Sequence, residues 1–391
     1  MAKYVKSICA IPNPTNEGPM KESLEKYKHQ LIVLGNGFDL VQGLKTGYAD
    51  YFKDKYGDNP SMELMDNAWD MVLFDRKLHD HSEWANVEQA IREQVTGYAS
   101  IARVRKGLDN PNVLDTSNLL GFYIARRMAS MIDEIQTVGF LQSPINHKDA
   151  VYLSFMRREL TLFEHSLYTY LKKIVSQSEN DDPWQYTVSS DNLYESIAGM
   201  PAFGDKNVLE KQHNTILTFN YTSPFQRRDE GYFPGLDSVR FVHGSLAQGD
   251  IIIGIDALNQ GAQGQRELID DEDVIPFTKT FRTLQSTSDY DAFSDVFDDE
   301  TPDCIKFFGH SLSEADYSYF QSIFDHVDLY EGTTALMFLY RPDGRYDGSD
   351  LYLKVTKLIN KYGDTLDNKD HGKNLLHKLI LENRLSIKRV Y

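Results

Sequence analysis

Residues 31–52, LIVLGNGFDLVQGLKTGYADYF, read as a strand, a glycine turn and the start of a helix. The apolar run 31–34 suits a strand buried on both faces of a parallel sheet. Gly35 and Gly37 bracket Asn36, so the backbone can turn tightly and approach a ligand without Cβ interference. Phe38 and Asp39 then open a helix whose first amides and dipole favour an anion such as a pyrophosphate. The match to the dinucleotide fingerprint G-x-G-x-x-G is incomplete: Leu40 holds the third position and the next glycine is Gly43. A branched side chain at Gly37 is expected to block the ligand and leave the domain folded.

Working outward, strand signals return at 214–219 (NTILTF), 239–244 (VRFVHG), 250–255 (DIIIGI), 304–309 (CIKFFG) and 334–339 (TALMFL). A helix from about Ser313 carries Tyr317, Phe320, Ile323 and Phe324 inward between the last two. Strands separated by helices imply a doubly wound parallel sheet, assembled from 31–58 and 214–340. Residues 59–204 read as a large helical insertion. One apolar face there runs through Trp84, Val87, Ile91, Val95, Tyr98 and Ala102, and another through Leu153, Met156, Leu160, Phe163, Leu167, Tyr170 and Leu171. A third, weaker helix falls at about 117–138. The expected organisation is an N-terminal extension (1–30), a Rossmann-type domain (31–58 and 205–340), the insertion (59–204) and a C-terminal helical segment (341–391). The last ends on the apolar-basic string LSIKRVY.

The string GNGFDL followed by GLKTGYADYF resembles the N-terminal signature of the AbiH family of bacterial abortive-infection proteins, which is in turn similar to sirtuin-like NAD-binding proteins. Further along, TFNYTS (218–223), FVHGS (241–245) and FFGHSLSEAD (307–316) resemble the sirtuin T-Q-N-I-D, H-G and G-T-S blocks, the last in the G-H-S-L-x-x-x-D form of AbiH proteins. The resemblance implies a sirtuin-like Rossmann-type fold, NAD⁺ as substrate or ligand, and an anti-phage role. Where sirtuins have aspartate two residues after the asparagine, this chain has Thr222. Sirtuin deacylases carry a zinc ribbon of four cysteines, whereas only Cys9 and Cys304 are present here. Acyl-peptide binding is therefore not implied.

Each motif sits at the carboxyl end of a strand, where open parallel sheets bind ligands. His243 can move a proton near neutral pH, or simply cap its strand. Asn220 can hold a carboxamide, ribose hydroxyl or water, or close the turn. Asp39 can orient a ribose hydroxyl or a water, or serve as a helix-start residue. Glu88, beside an apolar face, suits a buried general acid or a hydrogen-bonded structural role. Ser313 with Asp316 reads as a capping box, so Asp316 is expected to be structural. The candidate catalytic set is His243, Asn220 and Glu88. Nucleotide binding falls to Gly35, Asn36, Gly37, Phe38, Asp39, Thr218, Tyr221, Gly244, Gly309, His310 and Ser311.

With no peptide nucleophile implied, water is the expected acceptor, so the function read from these residues is NAD⁺ glycohydrolysis to nicotinamide and ADP-ribose. The alternative is a nucleotide sensor without turnover, acting through oligomerisation or a partner. Metal-dependent hydrolysis by His243 and His310 lacks H-E-x-x-H spacing, GHSLS only partly imitates a serine-hydrolase elbow, and no metal is expected.

Lys and Arg number 41 against 58 Asp and Glu, a net charge of −17, which argues against nonspecific nucleic-acid or acidic-membrane binding. Two distant cysteines, no membrane-length apolar run and no signal-peptide core imply a cytoplasmic setting. A phage-derived trigger and a second copy of the chain are further expected partners. Residues 267–303 are acidic and read as a solvated loop, whose neutralisation should alter stability little.

Overall fold

The first strand, β1 (His29–Leu34), sorts its side chains between two cores: Leu31 and Val33 enter one, Ile32 and Leu34 the other. A run apolar at every position is what a central strand needs when both faces are covered. Our computed structural model describes residues 27–390 apart from 80–84, 110–113, 115, 133–138, 142–148, 182–184, 201–205, 226–231, 261–265, 287–295, 298–299 and 343–347. Trp84 and most of the 1–30 extension therefore lie outside the described residues.

After β1 come α1 (Gly37–Val41), α2 (Tyr48–Tyr56), α3 (Ala68–Leu78), α4 (Val87–Thr96), α5 (Tyr98–Asp109), α6 (Leu119–Ala129), α7 (Ala150–Asp181), α8 (Gln185–Ala198) and α9 (Lys206–Leu209). The chain then forms β2 (His213–Thr218), β3 (Leu236–Phe241), β4 (Gly244–Ser245), β5 (Asp250–Ile251), β6 (Leu258–Gln260), β7 (Arg266–Leu268), α10 (Lys279–Ser286) and β8 (Cys304–Phe308). It ends with α11 (Tyr317–His326), β9 (Ala335–Tyr340), α12 (Ser349–Gly363), α13 (Lys369–Leu381) and β10 (Leu385–Arg389).

Six strands form one parallel sheet in the order β10-β9-β8-β1-β2-β3. Numbered by entry into the sheet and read from the β3 edge, this is 3-2-1-4-5-6, the order of dinucleotide-binding doubly wound sheets. The chain reverses direction across the sheet between β1 and β8. Helices α11, α12 and α13 cover one face, through residues such as Phe320, Phe324, Ile359 and Leu375. The other face packs on α8 (Leu193, Tyr194, Ile197) with Phe225 and Phe233. A third core lies among α2–α7 and takes in Trp69, Tyr152, Phe163 and Phe277.

Several expectations change. The DIIIGI string contributes only β5, paired antiparallel with β4 outside the main sheet. Its Ile253 N–H donates to Glu164 Oε1 (2.7 Å) and Ile255 N–H to Phe277 O (3.0 Å), so partners other than a ladder satisfy its backbone. The 87–102 helix is broken at Gly97 into α4 and α5, and Ala102 is exposed. The third helix is shorter than expected, ending as α6 at Ala129. In contrast, the 153–171 face of α7 is buried at all seven positions.

The C-terminal string is not a helical tail. Residues 385–389 form β10, an edge strand whose Lys388 and Arg389 are exposed, as suits an edge that must not pair further. Nor is 267–303 simply a solvated loop. It contains α10, buried Val274, Phe277 and Lys279, and Asp303, whose Oδ2 accepts from Lys28 and His29 N–H (2.9 and 3.0 Å) at the start of β1. Much of the acidic string itself, 287–295 and 298–299, lies outside the described residues.

Candidate functional site

The carboxyl ends of β9, β8, β1, β2 and β3 open into one crevice of about 790 Å³, within the 300–1,000 Å³ range of ligand pockets. It crosses the point where the strand order reverses. Of the expected site residues, His243, Asn220, Glu88, Gly35, Asn36, Gly37, Asp39, Tyr221, Gly309, His310 and Ser311 line it. Phe38, Thr218 and Gly244 do not. Phe38 packs on Phe225 and Phe308 in the core. Thr218 Oγ1 accepts from Asn220 N–H (3.1 Å) and shapes the turn from beneath. Gly244, at φ +75°, lies against Asp250 O, where a Cβ would stand 2.4 Å away; it closes the β4–β5 pair and so holds His243 at the strand end.

The glycine turn is built differently from an anion cradle. Gly35 N–H donates to Phe308 O (3.0 Å) and Gly37 N–H to Gly309 O (2.8 Å), so both amides are occupied by the neighbouring strand end. A Cβ at Gly37 would lie 2.6 Å from Gly309 Cα, and one at Gly35 2.5 Å from His310 Cα. The missing side chains let β1 and β8 turn outward together rather than admit a phosphate. Gly37→Val is therefore expected to destabilise the whole domain by about 1–3 kcal/mol, correcting the expectation of selective ligand loss. Urea denaturation checks it: an unchanged midpoint and slope would mean that the loop yields.

His243 and Asp316 anchor the centre. His243 Nε2–H donates to Asp316 Oδ1 (3.1 Å), and His310 Nε2 faces Asp316 Oδ2 (3.3 Å). His310 Nδ1 accepts from Leu312 N–H (2.9 Å), leaving its Nε2 as the donor. Lys279 Nζ lies 2.6 Å from Asp316 Oδ1 and 3.7 Å from Glu88 Oε1. Burial alone would raise the Asp316 carboxyl, but Lys279 and the two histidines overcome it and hold it well below the usual carboxylate range. Burial likewise opposes the Lys279 ammonium, yet Asp316 and Glu88 raise its pKa. His243 is pushed down to about 4, first by burial and then by Lys279. It is thus neutral at pH 7, with its proton on Nε2. Among the described residues its Nδ1 has no hydrogen-bond partner, and neither does Asn220 Oδ1. Phe219 stands edge-on to both imidazoles and fixes their planes (centroids 5.4 and 4.6 Å).

Asp316 stands at the N-cap position of α11 but makes no side-chain capping bond there. Ser313 makes no side-chain capping bond, and the Asp316 carboxylate serves the crevice instead. Lys279 was missed because it stands in a polar, acidic stretch. It is placed by Thr278, whose Oγ1 accepts from Phe281 N–H (3.3 Å) at the start of α10, and by Arg282, which bonds Glu164. Glu88, in the first turn of α4, is 27% exposed rather than fully buried.

Asp39 is buried. Its Oδ1 accepts from Tyr186 (3.1 Å) and its Oδ2 from Thr222. Burial pushes its carboxyl up to about 6 despite both bonds. A raised acid pKa stabilises the fold fully below the unfolded value and loses that contribution as pH climbs through about 6. His243, depressed, contributes above about 6.5 and loses its contribution as pH falls toward about 4. The two trends oppose between pH 4 and 6. Asp39→Asn should gain stability relative to wild type across that interval, by an amount on the order of 3 kcal/mol. Thermal denaturation at pH 4 and 7 measures it; an unchanged difference would show that Asp39 does not titrate there.

The chain matches the family model described as Bacteriophage abortive infection AbiH over residues 31–338. It therefore belongs to the AbiH family, and that membership gives it an anti-phage abortive-infection role. No curated protein matches the chain. Among the described residues, no helix is long and apolar enough to cross a membrane, and no group of three or more His, Cys, Asp or Glu side chains could hold a metal ion.

Proposed function

We propose that the crevice binds NAD⁺ and hydrolyses its N-glycosidic bond, so that an infected cell loses the dinucleotide and stops supporting phage. The observation that carries this reading is the pair of buried acceptors, His243 Nδ1 and Asn220 Oδ1, unpartnered among the described residues and lining a crevice over the strand-order reversal. A buried acceptor without a partner is costly, and a ligand or water that donates to it removes the cost. Ribose hydroxyls, a carboxamide and an attacking water are all donors of that kind. The resemblance of TFNYTS (218–223) and FVHGS (241–245) to sirtuin sequence blocks points to the same ligand.

In this reading water attacks C1′ of the nicotinamide ribose. The C1′–N1 bond breaks, and its electron pair neutralises the positively charged ring as nicotinamide leaves. The proton of the attacking water goes to His243 Nδ1, whose other nitrogen is held by Asp316, the base-and-orienter arrangement of activated nucleophiles. Asn220 orients the water or the ribose. Because nicotinamide departs neutral, no general acid is required. Glu88 then serves as a carboxylate near Lys279, and Asp39 orients a ribose hydroxyl, which it can bond whether ionised or protonated.

Incubating the purified chain with NAD⁺, with and without lysate from phage-infected cells, and quantifying nicotinamide tests this. A second reading, recognition without turnover, is favoured by the closed set of bonds around Asp316, which ties both histidines in place. Bound nucleotide with no nicotinamide under either condition would establish that reading and reject hydrolysis.

A further inference from the structure

We propose that the β9 end of the crevice is an anion subsite, built by Arg341 and Lys354, that takes the phosphate groups of a nucleotide. An anion needs fixed positive charge or free amides. The glycine turn offers little of either, since the Gly35 and Gly37 amides are bonded to Phe308 O and Gly309 O. Among the described residues, the Lys and Arg side chains lining the crevice are Lys279, Arg341 and Lys354. Lys279 is buried and balanced by Asp316 and Glu88. Lys354 shares its charge with Asp350 (2.8 Å). Arg341, which follows β9, forms no ion pair with a described residue, and its exposed guanidinium is available to a ligand.

The position fits a two-ended ligand. β9 and β3 are four strand spacings apart in the sheet, on the order of 19 Å at about 4.8 Å each. Towards the β3 side the lining groups are His243 Nδ1, Asn220 Oδ1, Asp39 and Glu88, with the Lys279 ammonium there offset by Asp316 and Glu88. At the β9 side they are cations over Leu339 and Leu351. A molecule with a donor-rich or cationic end and an anionic end matches this polarity. A planar guanidinium also grips phosphate through two parallel bonds, which a lone ammonium cannot do. The proposal rests on the crevice being the nucleotide site of the preceding section, and is independent of turnover.

ADP and adenosine, titrated by calorimetry against wild type, Arg341→Gln and Lys354→Gln, provide the test. ADP should bind wild type and lose about tenfold to a hundredfold in affinity in Arg341→Gln. Lys354→Gln should show a smaller loss, and adenosine should bind all three proteins equally. Wild-type affinity for ADP should also fall with added salt, because both cations are exposed. Equal ADP affinity in wild type and Arg341→Gln overturns the subsite, as does no ADP binding to wild type. A parallel loss of adenosine affinity overturns it too, since Arg341 would then shape the pocket rather than hold phosphate. Nicotinamide release is scored separately. Its absence alongside the expected ADP result rejects hydrolysis and keeps the subsite, whereas release alongside equal ADP affinities does the reverse.

Discussion

His243→Ala and Asn220→Ala should each lower NAD⁺ hydrolysis by about a hundred- to ten-thousand-fold, the usual contribution of a positioned proton-transfer group, and abolish phage protection. The two substitutions act on different atoms. Asn220→Ala removes an acceptor that has no partner among the described residues, so the unliganded fold should change little. His243→Ala also takes a donor from Asp316 and leaves space beside Phe219, so His243→Gln, which fills more of that space, is the companion variant. With His243 at about 4, wild-type turnover should persist through pH 5–6 and fall only as the imidazole protonates below that. An acid limb near 6.5 would mean that His243 is solvated when ligand is bound. If both variants, shown folded by circular dichroism, hydrolyse NAD⁺ and protect as wild type does, the proposed chemistry falls. If wild type releases no nicotinamide while both variants lose protection, recognition alone is the function.

The second large effect is expected at Lys279. Lys279→Met should cost about 3–5 kcal/mol, because it strands the Asp316 carboxylate in a buried site. Removing the ammonium also removes the charge that helps to depress His243, so the imidazole pKa should rise. The sign is distinctive: stability falls while the histidine becomes easier to protonate. Adding Asp316→Asn should recover part of the lost stability, since the amide oxygen can still accept from an imidazole N–H and no charge is left unpaired. Hydrolysis should not recover with it, because a neutral amide cannot stabilise the imidazolium that forms when His243 takes the proton. Chemical denaturation of the two single variants and the double variant closes the cycle. Additive losses would show that Lys279 and Asp316 are energetically independent despite their 2.6 Å contact.

How the site could be read from sequence differed residue by residue. Gly35, Asn220, His243 and Gly309 each follow a short apolar run, and a parallel sheet gathers such strand ends on one side, so their convergence was legible. Phe38 and Gly244 belong to the same motifs, yet one faces the core and the other closes a turn. Motif membership carries no information about which way a side chain points. Asp316 had a local pattern that imitated a cap, and its three real partners lie 6, 37 and 73 residues away.

By itself the sequence determined the buried central strand, the helical faces of α7 and α11, the doubly wound class and the family, because each depends on local periodicity or on a contiguous string. Only the tertiary structure decided that the glycine turn packs against Gly309, that residues 385–389 complete the sheet as β10, and that Lys279 and Arg341 enter the crevice. Each of these is a contact between segments distant along the chain. A lysine among acidic residues reads as solvated until folding buries it against Asp316, and two glycines read as a ligand cradle until the neighbouring strand occupies their amides.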